Sequence, residues 1–328
     1  MTDSTVKPDP TSKTETPRKA EGGWFSLRQP IPMWQSVLLA AVSVGIVFAI
    51  WWFVTRQAVR EDRIIGYNTL PSISETFDEF KSLWFERALT RNAITTIRRV
   101  AFGFGLACLV GIPLGVLAGC FTRVAALLSP LIIFGRNIPI AALIPLTFFF
   151  FGIAESQKIM FIFMASVAFI IADSSQAIRD VGQRYIDTAR TLGAGTWQIM
   201  MKVLVPLAMP SVFNSLRVLF GIAFGYIMLA EVVKLADEEG GLGFLIRTSQ
   251  RQGPREHIYL IILIIPVLAF AIDRLLFWAQ RELFPHRYGG YGFLNRAFGA
   301  ITGVWDNLKC AVMNPDDPGP PKPAEWRP

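Results

Sequence analysis

Residues 179–209 read RDVGQRYIDTARTLGAGTWQIMMKVLVPLAM and lie between two strongly apolar runs. The segment is too polar to cross a bilayer and too patterned to be a slack loop. Val181, Tyr185, Ile186, Ala189 and Leu192 recur at helical spacing and define one apolar face. Gly193 follows as a left-handed helix stop, and Thr196 is positioned to cap a second short helix from Trp197 to Leu204. Pro206 is expected to block further regular helix, because a proline pushes the residue before it out of the α region. The reading is two short helices around a glycine turn, forming a rigid knob. Such a knob can carry displacement from a soluble partner into the spans on either side; the competing reading is a hairpin that only connects them.

The composition says what those neighbouring runs are. Apolar residues make up 52% of the 328 and charged residues 17%, with phenylalanine occurring 26 times. A soluble globular chain carries about 25% charge, so this one has too little polar material to cover a water-facing surface. It reads as an all-α membrane protein. Three cysteines, Cys108, Cys120 and Cys310, have no paired spacing, and two histidines, His257 and His286, leave no basis for a histidine metal cluster. The net charge of +7 fits basic residues flanking spans and meeting anionic headgroups, with no nucleic-acid partner implied. No cofactor is expected.

Residues 1–32 are rich in Thr, Ser, Pro and Lys and read as a disordered leader. Between Arg28 and Arg56 there are 27 uncharged residues, more than the roughly 20 needed to cross the hydrocarbon core, so a first span is expected at 33–55. Residues 56–99 are polar, with an amphipathic helix expected from Ser74 to Leu89 anchored by Phe77, Phe80 and Trp84. A second span is expected at 100–122; there Ala107, Gly111, Gly115 and Gly119 place small residues on one face, where another helix can approach closely. Further spans are expected at 125–151, 159–178, 210–233 and 258–278, the third interrupted by Arg136, Pro139 and Pro145. Six spans thus make up a membrane domain over 33–280, with the knob at 179–209. The tail, 281–328, is polar; Leu294, Phe298, Ile301, Trp305, Leu308 and Val312 share one helical face, so 294–312 is expected to lie flat on the bilayer.

An even number of spans puts both termini on one side. With termini inside, inner segments carry 16 Lys and Arg against 12 outside, the direction of the positive-inside bias. The chain also lacks a Gly-x-x-x-x-Gly-Lys-Ser/Thr run, and no glycine in it is followed by lysine. Nothing therefore cradles a β- or γ-phosphate with a lysine, and this chain is not expected to hydrolyse ATP.

The knob also resembles a known element. Asp187-Thr188-Ala189-x-x-x-Gly193, then nine residues to Val203-x-Val205-Pro206, is similar to the EAA loop of bacterial ABC-importer permeases, with Asp for Glu, Thr for the first Ala, and Val at both distal apolar positions. Arg136-Asn137-Ile138-Pro139 with Ala142-Leu143-Ile144-Pro145-Leu146 resembles a run in the nitrate/sulfonate/taurine/bicarbonate permease group. Leu216-Arg217, Ala230-Glu231, Gly241-Leu242-Gly243 and Asp273-Arg274 extend the likeness across residues 35–287. The resemblance implies a type I importer permease in a bacterial inner membrane. It implies a homodimer, a cytoplasmic ATPase docked on the knob, and a periplasmic or extracellular solute-binding protein. Tyr185, Asp187, Thr188, Ala189, Leu192, Gly193, Ala194 and Pro206 are the expected coupling residues.

Charges inside spans are costly and usually face a bundle interior or a cavity. Arg136, Asn137, Pro139, Asn214, Arg217 and Glu231 are accordingly the candidates for a translocation path or gate. Arg136 and Arg217 suit an anionic solute, and the alternative roles for both are to neutralise Asp173 or Glu231 or to snorkel to a headgroup. Pro139 and Pro145 read as shaping a kink, and Asp273-Arg274 as interfacial. A self-sufficient channel or ion-coupled transporter is the competing function; it would want broken helices in both halves, and only one Pro-interrupted region is present. An intramembrane hydrolase lacks the paired groups it needs.

Overall fold

The computed structural model describes residues 32–56, 69–152, 155–233 and 240–284. The expected leader, the tail helix at 294–312, Cys310 and His286 lie outside the described residues. The chain divides into two compact units, Met1–Ile73 and Ser74–Pro328. In the first, α1 (Met33–Thr55) is an uninterrupted apolar helix. Trp51 Nε1 donates to the Pro71 carbonyl at 3.0 Å, and the Arg56 guanidinium stacks 4.5 Å from the Phe53 ring centre.

In the second unit the expected amphipathic helix is two short pieces, α2 (Ile73–Asp78) and α3 (Phe80–Phe85). Leu83 and Thr76 are buried, while Phe77, Phe80 and Trp84 face outward. Then follow α4 (Leu89–Cys120), α5 (Thr122–Asn137), α6 (Ile140–Phe151) and α7 (Glu155–Arg179). After the polar segment come α10 (Val205–Val232), α11 (Leu242–Gln252) and α12 (Glu256–Leu283). Among the described residues five helices are long and apolar enough to cross a bilayer, and the α5–α6 pair makes a sixth if it counts as one span.

The core is the α4–α7 contact, and the small-residue stripe explains it. A β-carbon added at Gly103 would meet Ile162 Cβ at 2.7 Å. At Gly111 it would meet Ile170 Cγ2 at 2.8 Å, and at Gly119 Ile178 Cβ at 2.6 Å. Without side chains there, the two helices approach nearly backbone to side chain. Residue numbers rise together along both helices, so α4 and α7 are parallel. Parallel neighbours require the intervening chain to return the full length of the bundle. The α5–α6 pair, bent by 104°, makes that return with both halves packed on α7. The break falls where proline demands it: Ile138 is extended (ψ 127°) ahead of Pro139. Pro145 sits inside α6 without ending it.

Candidate functional site

The polar segment folds as two short helices. Helix α8 (Gln183–Thr191) stops at Gly193, whose φ of +79° is the left-handed conformation that glycine adopts without strain. Gly193 N donates to the Arg190 carbonyl and Ala194 N to that of Ala189. Helix α9 (Thr196–Ile199) is capped by Gly195, not Thr196, and Gly195 N donates to Gln198 Oε1 at 3.1 Å.

Pro206 does not end the second helix. A five-residue π turn, Met200–Leu204, leads directly into α10, and Val205 stays helical at φ −60°, ψ −53°. The π turn shifts the hydrogen-bond ladder just ahead of the proline. Pro206 then falls in the first turn of α10, where its missing N–H costs little. The segment is thus welded to α10, with residues 196–232 forming one helical column.

Ala189, Ile199, Met200 and Leu204 pack with Val116, Ala177 and Ile178 at the ends of α4 and α7. The opposite face is bare. Leu192 is 82% exposed and Trp197 67%; Tyr185, Asp187, Thr188, Gly193 and Pro206 are exposed as well, while Ala189 is buried and Ala194 partly so. A hairpin rooted in apolar packing, with large apolar side chains in the open at its tip, can receive a partner and pass its movement to α7 and α10.

At the opposite end of the bundle lies a buried ionic network that joins four elements. Arg99 on α4 is 1% exposed. Its Nε donates to Glu155 Oε2 at 2.8 Å, and Nη2 donates to the other Glu155 oxygen. Its Nη1 donates to Glu231 Oε1 at 2.8 Å and to the Gly240 carbonyl at 2.9 Å. Glu231 also accepts from Thr96 Oγ1 and from Gly243 N, each at 3.0 Å. Asn92 Oδ1 accepts from Gly241 N at 2.8 Å, and Thr96 Oγ1 from Leu242 N at 2.9 Å. The two glycines of the Gly241-Leu242-Gly243 run are explained here: Gly243 N reaches Glu231, and a β-carbon would stand 2.4 Å from Glu231 Cδ at Gly241 and 2.6 Å from Glu231 Cβ at Gly243. One guanidinium serves two carboxylates, and the second of these, Glu155, is half exposed with Arg98 at 3.7 Å.

Arg99 and Glu155 escaped the sequence reading because each flanks an apolar run, where a charge is normally wetted. The one hint was Glu231 followed by closely spaced glycines. His257, without an evident partner in sequence, lies buried with Nε2 3.4 Å from Glu79 Oε2.

Arg217 is not paired with Asp173 or Glu231. Its Nε donates to Asp273 Oδ1 at 2.8 Å and its Nη1 to Gln280 Oε1 at 3.0 Å; Gln280 Nε2 in turn donates to the Pro210 carbonyl. Asp273 therefore lies within α12, not at its end, and ties it to α10. Arg136, Asn137 and Pro139 are exposed at the α5–α6 break. Arg136 stacks 5.2 Å from the Phe169 ring centre and lines a cavity of about 360 Å³ with Asp173 and Arg179. Asn214 is exposed on α10. The structure brings Arg136 and Asp173 together; it does not bring Arg217 or Glu231 to them.

Residues 111–285 match the family described as the binding-protein-dependent transport system inner membrane component. The taurine transport system permease protein TauC of Escherichia coli is 26% identical over 77% of this chain and 91% of its own length. The bicarbonate transport system permease protein CmpB of Synechococcus elongatus is 31% identical over 60% of this chain and 70% of its own. Among solved structures, an inward-facing MetNI methionine ABC transporter chain superposes with a TM-score of 0.54 at 22% identity, covering 62% of this chain and 97% of that one. The fold is that of a type I importer permease.

Proposed function

Because the chain belongs to the binding-protein-dependent transport inner-membrane component family, a multi-pass permease component of an ABC transporter and not its ATPase, we propose that it forms the path for a small anionic or sulfonate-like solute. The candidate solutes are of the nitrate, taurine, alkanesulfonate or bicarbonate class. Two relatives with 26% and 31% identity carry taurine and bicarbonate in their names, which supports the class.

The single observation that carries the coupling role is the hairpin. It is rooted in the apolar ends of α4 and α7, is continuous with α10, and is bare at Leu192 and Trp197. In this reading a separate cytoplasmic ATPase seats on the hairpin at Tyr185, Asp187, Thr188, Leu192 and Gly193, with Ala189, Ala194 and Pro206 holding its shape. An external solute-binding protein delivers the solute at the opposite end. Both termini are then cytoplasmic, in keeping with the basic-residue asymmetry, and two copies of the chain enclose the path. Arg136, Asn137, Pro139 and Asn214 line it, because polar groups exposed at membrane depth require a watery cavity or another subunit. Arg217 and Glu231, both engaged in ion pairs, hold the helices that gate it.

Affinity purification of the tagged chain from native membranes tests this reading. An ATPase subunit should copurify, and ATP-dependent uptake should appear on reconstitution with the binding protein. Solute flux through the chain alone in liposomes would refute it.

A further inference from the structure

Beside the ionic network, at the end of the bundle away from the hairpin, a cavity of about 340 Å³ opens between the start of α4, the start of α7 and the Gly240–Phe244 stretch. Its charged walls are Arg91, Arg98 and Glu155, with Asn92 and Thr95 adding polar surface. Glu155 is already committed, since both its oxygens face Arg99. Arg98 reaches it only at 3.7 Å, and Arg91 has no ion-pair partner among the described residues. Two exposed guanidinium groups therefore share a cavity whose one carboxylate is held by a third. A guanidinium presents a planar fork of donors that matches the oxygen pairs of carboxylate, sulfonate and phosphate.

We infer that this cavity binds an oxyanion group, held between Arg91 and Arg98. The free source is a small carboxylate, sulfate or sulfonate; the membrane source is the headgroup of an anionic lipid, because the cavity lies at the end of two spans. The inference rests on the proposed function only in making a transported anion the natural free occupant, which would meet this cavity before the path itself.

The permease–ATPase complex in nanodiscs tests it, with phosphatidylcholine alone in one set and phosphatidylglycerol added in the other. Sodium sulfate and sodium methanesulfonate are titrated against sodium chloride of equal ionic strength, and the thermal unfolding midpoint is read. In phosphatidylcholine the native chain should gain about 2 °C or more at saturating anion. The Arg91→Gln/Arg98→Gln variant should lose that gain, and Arg123→Gln, at the hairpin end of the bundle, should keep it. A gain that appears only with phosphatidylglycerol and vanishes in the double variant assigns the site to the lipid headgroup.

Arg91→Gln alone removes no described ion pair and should raise the half-saturating concentration of the effective anion at least about fivefold. This keeps the test open if the double variant fails to assemble. Equal responses in native and variant chains, or no response to any anion, overturn the inference. If the ATPase still copurifies in that case, the importer reading stands and only the anion site falls.

Discussion

Gly241 faces Glu231 so closely that a β-carbon on it would stand 2.5 Å from both carboxylate oxygens. Its φ of +107° is also one that other residues rarely adopt. Gly241→Ala should therefore expel the Glu231 carboxylate from its cage of donors. Gly240 also has a positive φ (+113°), but a β-carbon there would meet nothing nearer than 3.5 Å. Gly240→Ala should cost the strain alone, about 1–3 kcal/mol, and Gly241→Ala clearly more. Unfolding midpoints of the two purified variants, compared side by side, check the order.

Arg99→Met leaves Glu231 buried without its cation. Breaking a buried ion pair from one side costs about 3–5 kcal/mol, so the folded yield in membranes should fall sharply. Arg99→Met with Glu231→Gln removes both charges and should recover much of the loss. Arg99→Lys should not, since one ammonium cannot reach Glu155, Glu231 and the Gly240 carbonyl together. Yield and thermal stability of the three variants in detergent decide it.

Arg217 and Asp273 tie α10 to α12 across 2.8 Å. A double-mutant cycle with Arg217→Gln and Asp273→Asn should show a coupling energy of about 0.5–3 kcal/mol. A cycle between Arg217→Gln and Asp173→Asn should show none, because Arg217 does not meet Asp173. Equal coupling in the two cycles would contradict the pairing.

Gly115 and Gly105 lie on the same helix and should respond oppositely. A β-carbon at Gly115 would stand 2.5 Å from Ser174 Cβ and 2.7 Å from the Ile171 carbonyl oxygen, whereas nothing lies within 4 Å of one at Gly105. Gly115→Leu should push α4 off α7 and abolish stable expression. Gly105→Ala should raise stability by about 0.5–1 kcal/mol through helix propensity. Heat-challenge solubility in detergent distinguishes them.

Leu192 is 82% exposed, with no packing role among the described residues. Leu192→Asp should leave stability within about 0.5 kcal/mol of the parent while reducing ATPase copurification severalfold. Gly193→Pro attacks the same hairpin through its backbone, since proline cannot hold φ at +79°. Transport should be lost while membrane insertion persists. Normal uptake by that variant would remove the coupling claim.

Much of the architecture was legible because it rests on local pattern. Uncharged runs long enough for a bilayer, a small residue every fourth position from Ala107 to Gly119, and a glycine closing an amphipathic turn at Gly193 each state a physical requirement within a few residues. The break at Pro139 was readable for the same reason. Pro206 misled: its effect depends on whether the preceding turn can widen, and the π turn at Met200–Leu204 left no mark in the sequence.

What the chain's order of residues determined alone was the helical, membrane-embedded class, the glycine-turned hairpin after α7 and the lack of a phosphate-cradling run in the sequence. Tertiary structure alone decided which charges meet. Arg99 finds Glu155 56 residues away and Glu231 132 residues away, and Arg217 finds Asp273 instead of Asp173. Such partners are selected by the register in which α4, α7, α10 and α12 pack. That register follows from summed side-chain fit along whole helices, a quantity that no short stretch of sequence contains.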